Sequence, residues 1–350
     1  MGGVNNLPPT PAAASAAAGT QSYRSSGVGD RQQFDGPGPE AGRNSPQPAA
    51  QVEQLNGQVE TLQNAVANQR MSQSRTSLDD NEYSTRFNRL NGAINNLAFN
   101  IRKDWRSLPP WIENYVSPDA IKTGKQEMTA VGRAVIIRWI VDEVFNKCFH
   151  PGLDFGLSGH LKAIEQNIRR FSYTLTSQEE FDALTAKVVN WRMATLEGLQ
   201  HMLQSPESND YRADFTKMVA SNLTAALYQY LNDPPPPGVD GSASMIVELV
   251  VGIAANLPME SRDVVISYPL PGDPIQPDIM EPEKTGLPPL ADSAEEGEDS
   301  GKDGDKASKR DKTKSAPPAK DPTKIRFAGF LAVEVRGRQV LVKAPVWTLG

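Results

Sequence analysis

Cysteine and histidine are scarce in this sequence of 350 residues, which has one cysteine, Cys148, and three histidines. A single thiol excludes an intramolecular disulfide framework and any zinc site that needs two or more thiolates. The formal net charge is only −6 at pH 7, so the strongly basic composition of a nucleic-acid-binding protein is also missing. We therefore expect no metal, no cofactor and no nucleic-acid partner.

Long hydrophobic runs are also missing. The longest run, from Met245 to Leu257, contains Glu248 and is shorter than a membrane-spanning helix, which needs about 20 residues. The first residues, Met1-Gly-Gly-Val, have neither the basic start nor the apolar run of a secretion signal. We therefore expect a core helix at the apolar run, no transmembrane segment, and an intracellular location that is either cytoplasmic or nuclear.

Proline and glycine are abundant instead, with 28 and 27 residues, while hydrophobic residues make up only 38% of the chain. Most prolines lie in residues 1–50 and between Pro234 and Pro322. Segments with few large apolar side chains bury too little surface to offset the entropy of ordering. We therefore predict disorder for residues 1–50 and a disordered charged linker at residues 269–324, in which an acidic block precedes a basic one.

Residues 51–76 carry apolar side chains at alternating spacings of three and four, which correspond to the a and d positions of a heptad. This heptad seam consists of Val52, Leu55, Val59, Leu62 and Val66. We predict a short coiled coil that gives the protein a homo-oligomeric state or a coiled-coil partner. The alternative is an ordinary amphipathic helix docked on the rest of the fold, because so few heptads are only marginally stable alone.

Residues 77–257 are predicted to form a helical domain. The first apolar series with helical spacing starts at Tyr83, after the N-cap residue Ser77. A later helix opens with a capping box formed by Ser177 and Glu180. The fold class is therefore mainly α: a helical bundle preceded by a short coiled-coil helix, with a small C-terminal β-hairpin and long disordered tails.

The most apolar helix of this domain is predicted between Val131 and Phe149. Its charged stripe is narrow and includes Arg138 and Asp142, at the four-residue spacing that lets opposite charges meet. A helix that is apolar on nearly all sides is typical of a buried central position. We therefore expect Trp139 to lie in the core, where truncation of an aromatic side chain to alanine costs about 3–5 kcal/mol.

The end of the chain shows the alternation of apolar and other residues that is typical of strands. It runs from Ile325 to Val335 and again from Val340 to Val346, with a turn at Arg336-Gly337-Arg338 between them. This pattern predicts a β-hairpin at residues 325–347. A lone hairpin is marginal in water, so we expect it to pair with an extended segment at residues 258–268 or, as the alternative, with a face of the helical domain.

The helix with Phe87, Leu90 and Ile94 leads into Trp105, the apolar Trp139 helix follows, and the chain has the C-terminal run Arg326-Phe-Ala-Gly-Phe-Leu-Ala-Val-Glu-Val-Arg-Gly-Arg. Over roughly residues 80–270 and 325–347 this order of parts resembles uncharacterised proteins of filamentous fungi. The resemblance implies a coiled-coil segment, a helical domain and a C-terminal β-hairpin. It transfers no catalytic or ligand-binding residue.

Side chains suited to metal binding or nucleophilic catalysis lie close to Cys148 in the sequence. His150, His160 and Asp154 would complete a set of thiolate, imidazole and carboxylate ligands. A free cysteine on an apolar helix usually behaves as a small buried hydrophobic residue, and His150-Pro151-Gly152 is typical of the end of a helix. We therefore interpret these residues as structural and predict no catalytic, cofactor-binding or metal-binding residue.

The interpretation that fits best is a non-enzymatic assembly or adaptor protein that associates with itself through the heptad seam. One alternative is a nuclear or chromatin-associated factor with a basic nuclear signal, although a solvated run of mixed charge explains that segment as well. The candidate nuclear signal consists of Lys306, Lys309, Arg310, Lys312 and Lys314.

A second alternative is a helical enzyme with an unrecognised site. Its acid–base groups would have to come from His160, His201, Glu165 and Asp154, and at least two of them should converge in a pocket. The sequence leaves open whether a small molecule binds the helical domain.

Overall fold

The structure is a computed structural model that describes residues 54, 57–59, 61, 78–123, 126–170, 177–290, 318 and 320–350. The chain divides into two compact units, residues 1–60 and 61–350. In the first unit the described residues 54 and 57–59 are helical, and Val59 is 49% exposed. The other four residues of the heptad seam lie outside the described residues, so the coiled coil stays a prediction. Residues 1–50, for which the sequence predicts disorder, also lie outside the described residues.

The second unit is mostly helical in its described residues. Its helical elements, in chain order, are α1 (Asp80–Asn100), α2 (Pro110–Glu113), α3 (Ala120–Thr123), α4 (Gln126–Ile140), a π-helix (Val141–Phe145), α5 (Phe155–Arg170), α6 (Gln178–Gly198), α7 (Gln200–Leu203), α8 (Pro206–Tyr228), α9 (Val239–Asn256) and a short 3₁₀ turn (Leu257–Met259).

The centre of the helical part is built by α1, α4 and α9, with α8 packed on α9. The apolar series of α1 is buried, as the helical spacing of its side chains predicts, and Tyr83 and Phe87 have no exposed surface. Helices α1 and α4 approach closely at Gly132, where an added Cβ would lie 3.0 Å from the Cβ of Ala98. Glycine therefore lets these two helices touch. The capping box predicted at the start of α6 is confirmed.

Helix α9 is the most apolar helix of the described residues. Val239–Met259 has a mean hydropathy of 1.5 over its most apolar window, so by length and composition it could cross a membrane. Half of that window is buried inside the protein, and Val247 and Val250 have no exposed surface. One such helix is a weak indication of a membrane span, because the core helix of a globular protein has the same composition.

The C-terminal part forms two three-stranded sheets. The strands are β1 (Val264–Ser267), β2 (Met280–Pro282), β3 (Ile325–Ala328), β4 (Ala332–Val335), β5 (Gln339–Val342) and β6 (Ala344–Thr348). The first sheet has the order β1-β4-β5 and is antiparallel. The second has the order β2-β6-β3, in which β6 runs parallel to β2 and antiparallel to β3.

The single hairpin predicted at residues 325–347 is wrong at both ends, because β3 and β6 belong to the second sheet. A hairpin joins β4 to β5 through the turn at 336–338, where Gly337 has a φ of 71° that favours glycine. β3 leaves that sheet, because Phe330 and Leu331 turn inward between β3 and β4 and are 1% and 0% exposed in the helical core. Alternation alone could not reveal this change of sheet.

β4 pairs with β1 on its other side, in a register that sets Val264 opposite Val335 and Ser267 opposite Ala332. From the sequence we expected an extended segment at residues 258–268 to pair with the C-terminal strands. The extended part in the structure is Val264–Ser267; Pro258 and Met259 belong to the 3₁₀ turn, and residues 260–263 form a bend between that turn and β1.

The disordered linker predicted at residues 269–324 is wrong for its first part. Residues 269–290 belong to the folded unit, where Met280 is 4% exposed in a small cluster with residues of β3 and β6. The indole N–H of Trp347 donates a hydrogen bond to the carbonyl of Thr285 (2.9 Å). A few anchors of this kind are enough to order a proline-rich segment, and composition does not reveal them. Residues 291–317 lie outside the described residues.

A buried arginine joins the strands to the helices. Arg326 in β3 is 4% exposed, and it donates through Nε to the carbonyl of Tyr115 and through Nη1 to the carbonyl of Pro288, each at 2.6 Å. Its Nη2 donates to Oε1 of Glu127, which is 1% exposed. Glu127 also accepts a hydrogen bond from the backbone N–H of Ser117 (2.9 Å) and another from its hydroxyl. The pair therefore connects four separate segments of the chain.

Arg326→Met is expected to lower the free energy of unfolding by about 3–5 kcal/mol, because it leaves the Glu127 carboxylate buried without its cation. Arg326→Lys should also destabilise the fold, since a lysine lacks the planar fork that reaches three acceptors. Urea unfolding of both variants measures these losses.

The control is Lys147→Met, which removes one partner of an exposed pair with Glu143 at 2.7 Å. An exposed pair contributes less than about 1 kcal/mol. Equal losses for Arg326→Met and Lys147→Met would contradict the role assigned to Arg326.

Candidate functional site

Helix α4 does not end in a regular α-helical turn but continues as the π-helix Val141–Phe145. Such wider turns are rare and occur frequently at functional sites. Val144 and Phe145 of this segment face the core, while Asp142 and Glu143 are exposed. The π-helix therefore lies between the apolar core and a surface groove, and this groove is our candidate functional site.

The groove has a volume of about 420 Å³. It lies between the segment that opens α2, the end of α4 with the π-helix, and the end of α8. Three half-buried aromatic side chains line it, and so do two consecutive prolines, apolar residues of α8 and two exposed carboxylates. These aromatic, proline and charged lining residues are Pro109, Pro110, Trp111, Arg138, Trp139, Asp142, Glu143 and Tyr230.

The two walls of the groove are held together by the backbone. The carbonyl of Tyr230 accepts hydrogen bonds from the N–H groups of Arg106 (2.9 Å) and Ser107 (3.3 Å). Next to it, Trp105 forms an isolated antiparallel bridge with Leu231. The proline-containing segment that carries Trp111 is therefore fixed against the end of α8, so the groove is formed before any partner arrives.

A cation orders the aromatic lining. The guanidinium carbon of Arg138 lies 4.2 Å from the ring centroid of Trp111, and its Nε lies 3.5 Å from a carboxylate oxygen of Asp142. The first contact has the geometry of a cation–π interaction, and the second is the ion pair expected from the four-residue spacing. Together they limit the rotation of the Trp111 and Arg138 side chains beside the groove.

The expectation that Trp139 lies in the core holds only in part, because Trp139 packs against the core but is not fully buried. Trp139 is half-buried and lines the groove, whereas its neighbours Ile137 and Ile140 have no exposed surface. The sequence contained a signal that could have found the site: Trp139 stands beside the charged stripe of Arg138 and Asp142. An aromatic residue at the border of a polar stripe lies at the edge of the buried face.

The residues around Cys148 hold a turn together. Ser158 Oγ accepts hydrogen bonds from the backbone N–H groups of Phe149 (3.0 Å) and His150 (3.1 Å) and lies 3.6 Å from the Cys148 sulfur. Burial raises the pKa of the Cys148 thiol to about 11, so the thiolate needed for nucleophilic attack or metal binding is scarce at neutral pH. In the parts of the chain that the structure describes, no group of three or more His, Cys, Asp and Glu residues could hold a metal ion.

The four acid–base candidates of the enzyme alternative do not form one site. His160, His201 and Asp154 are exposed, and Asp154 accepts a hydrogen bond from the backbone of Leu157 at the start of α5. Glu165 is buried, which by itself would raise its pKa, but the neighbouring basic side chains outweigh burial and lower the pKa to about 2. Among the described residues, no hydrogen bond or ion pair joins any two of the four.

The candidate nuclear signal at residues 306–314 lies outside the described residues. So do Val52, Leu55, Leu62 and Val66 of the heptad seam. Comparisons with protein families, with curated proteins and with solved structures find no match to this chain. The resemblance to fungal proteins therefore stays an expectation from the sequence, and the site has to be interpreted from its own chemistry.

His150 is a buried histidine that stays neutral. It is 8% exposed, and its Nδ1 accepts a hydrogen bond from the backbone N–H of Gly152 (3.0 Å). Burial, aided by the positive charge of Arg212, lowers the pKa of His150 to about 4. His150 also lines a second cavity of about 630 Å³, which it shares with Ser208 and Arg212.

This lowered pKa predicts a pH-dependent stability. Below pH about 6.5 the unfolded chain takes up a proton at His150 that the folded chain excludes, so the free energy of unfolding should fall as the pH drops from 6.5 to 4. The expected loss is about 3 kcal/mol across that interval. Denaturant unfolding at several pH values measures it.

His150→Gln should remove most of this slope, because glutamine has no proton to gain and its carbonyl can still accept the hydrogen bond from Gly152. The matched control is His160→Gln at an exposed histidine, which should keep the slope. If the slopes of the two variants are the same, His150 is not the group responsible.

Proposed function

We propose that this protein is a non-enzymatic assembly or adaptor protein that associates with itself through the heptad seam and binds a partner protein in the aromatic groove. The single observation that carries the proposal is the groove, in which the half-buried side chains of Trp111, Trp139 and Tyr230 surround one depression of about 420 Å³. Tryptophan, tyrosine and arginine are the residues that contribute most to binding at protein interfaces.

The chemistry of the groove favours an extended proline-rich segment as the partner. Aromatic-lined grooves accept such segments because proline rings fit between aromatic side chains and the extended backbone has little entropy to lose. Here the aromatic side chains and the rim of Pro109 and Pro110 supply the apolar surface. Asp142 and Glu143 are exposed at the groove, and each is paired with a single exposed or half-buried cation, Arg138 or Lys147. A basic residue at the end of the partner segment can add to these ion pairs.

The remaining charged candidates support a binding role over catalysis. The buried Glu165 is occupied by ion pairs with Lys162 (3.0 Å) and Arg169 (2.8 Å), and the thiol of Cys148 is held protonated. General acid–base catalysis needs a group whose pKa lies near the working pH and that can reach a substrate. Neither buried group meets that requirement.

Self-association rests on the heptad seam. Val59 is helical and 49% exposed, which supports a seam that is available to a second copy. A helix with so few heptads gains stability by pairing. A partner protein that carries several proline-rich segments would then bind an assembly more tightly than a monomer, because its second segment binds at a high effective concentration.

The partner hypothesis predicts that Trp139→Ala weakens the binding of a synthetic peptide of ten prolines followed by one arginine by about 30-fold or more. Tryptophan fluorescence and isothermal titration calorimetry measure the affinity. The control is Phe99→Ala, which removes an aromatic side chain that is 51% exposed outside the groove and should leave the affinity unchanged. No binding of the peptide by the unmodified protein would exclude a proline-rich partner.

The assembly hypothesis predicts that Val59→Glu combined with Leu62→Glu converts the full-length protein to a monomer, because two charges in the seam oppose close packing. Sedimentation equilibrium measures the mass. The control combines Gln58→Glu with Thr61→Glu, two changes at exposed helical positions between the seam residues. A monomeric unmodified protein, or the same mass for both double variants, would contradict self-association through this seam.

A further inference from the structure

A second feature beside the π-helix is a small cavity that the proposed function does not use. It has a volume of about 150 Å³ and lies between the end of the π-helix, α5, α6 and β1. Its lining includes exposed residues such as Asn146 and Gln166 and the deeply buried Arg192. The cavity therefore leads from the surface to a buried guanidinium.

Positive charge surrounds Asp263 next to this cavity. The fully buried carboxylate of Asp263 lies 2.6 Å from Arg169, 4.0 Å from Arg192 and 3.8 Å from Arg336. Arg169 makes a bidentate pair with it, so the other two arginines share a carboxylate that is already neutralised.

Glu165, the second carboxylate of the cluster, is also shared by more than one basic side chain. Glu165 pairs with Lys162 at 3.0 Å and with Arg169 at 2.8 Å. The cluster as a whole therefore has four basic side chains, Lys162, Arg169, Arg192 and Arg336, for two carboxylates. Glu260, which lies near Arg192 in the fold, pairs with Arg262 at 3.0 Å, and Arg262 also pairs with Asp80. When this group is counted as well, five cations face four carboxylates, so one positive charge remains in excess.

The excess of positive charge affects Arg192 most, because this arginine is the most deeply buried of the four basic side chains. Its side chain is 3% exposed, and Nη2 donates hydrogen bonds to the carbonyls of Glu260 (2.6 Å) and Arg262 (2.8 Å). Its Nε is buried and has no hydrogen-bond partner. Burial lowers the pKa of Arg192, which shows that its neighbours do not fully compensate the loss of water. A buried donor without a partner destabilises a protein unless something else accepts its hydrogen bond.

We propose that the cavity lined by Lys162, Arg169 and Arg192 binds a small oxyanion of the phosphate class. Its oxygens accept hydrogen bonds from the guanidinium of Arg192 and the ammonium group of Lys162, two side chains that line the cavity, and its negative charge compensates the cationic excess of the cluster. The donors around the cavity are guanidinium and ammonium groups, which repel metal cations and match phosphate oxygens. The volume admits a single oxyanion group.

Binding at this cavity would stabilise the contact between the helices and the first sheet. Lys162 and Arg169 belong to α5, Arg192 belongs to α6, and the cavity is also lined by Val264 and Ile266 of β1. An anion held by these side chains binds the folded state only. Its effect is therefore measurable as an increase in the unfolding temperature.

The test is thermal unfolding of the full-length protein in sodium phosphate, with sodium chloride at equal ionic strength as the reference. At a phosphate concentration one hundred times its Kd, the unfolding midpoint should rise by roughly 5–10 °C. Isothermal titration calorimetry with inorganic phosphate gives the Kd directly. A midpoint that does not change relative to chloride, together with no heat of binding, would overturn the proposal and leave the cavity to water.

The variant for this test is Lys162→Met, because Lys162 is 22% exposed and its loss leaves Glu165 paired with Arg169. It should weaken phosphate binding by about tenfold, as expected for the loss of one charge-assisted hydrogen bond. Lys147→Met removes the same charge from an exposed pair that does not line the cavity and should bind phosphate normally. Equal weakening in both variants would show a general charge effect and overturn the site.

A parallel titration with O-phosphoserine distinguishes the two sources of the oxyanion. Binding as tight as that of inorganic phosphate supports a phosphoryl group carried on a larger molecule. Binding of inorganic phosphate alone supports a free ion. In both outcomes the variant Lys162→Met should bind the oxyanion more weakly than the unmodified protein. Neither outcome depends on the binding of the proline-rich peptide or on the oligomeric state of the protein.

Discussion

The buried pair of Arg326 and Glu127 is the interaction on which the arrangement of helices and strands depends. Removing two charges from water is costly, and their attraction offsets that cost only when the remaining donors and acceptors are satisfied as well. Arg326 uses three nitrogens on three acceptors, and Glu127 holds Ser117 with both of its oxygens. These contacts exist only when β3, the segment at Pro288 and the start of α4 meet, so the C-terminal strands fold with the helices.

A second buried carboxylate fixes the first sheet in the same manner. Asp263 stands directly before β1, and its carbonyl accepts a hydrogen bond from the N–H of Arg336 (2.9 Å), which directly follows β4. Its carboxylate meets Arg169 from α5 and Arg192 from α6. The register of β1 on β4 is therefore tied to the same charges that hold the two helices, and an imbalance among these charges affects both the sheet and the helices.

The sequence predicts the parts of this fold that depend on local patterns and misses the parts that depend on distant contacts. The buried series at Tyr83 and the capping box at Ser177 follow from spacings within one helix, and both are present. The break between β3 and β4 depends on helices that receive Phe330 and Leu331, and the order at residues 269–290 depends on anchors such as Trp347. Neither the partners nor the geometry of such contacts can be derived from composition or periodicity.

The groove was missed for a related reason: the walls that face Trp139, the segment at residues 109–111 and the end of α8, come from distant parts of the chain. Helical periodicity assigns faces by a constant turn, and an apolar run from Val131 to Phe149 then appears buried on every side. At the end of that run, Asp142 and Glu143 of the π-helix border the groove, while Phe145 and the following Asn146 line the small cavity. One short segment thus contributes side chains to both proposed binding sites. Because they share its backbone, a shift of the π-helix to the narrower α-helical turn would alter the two sites together.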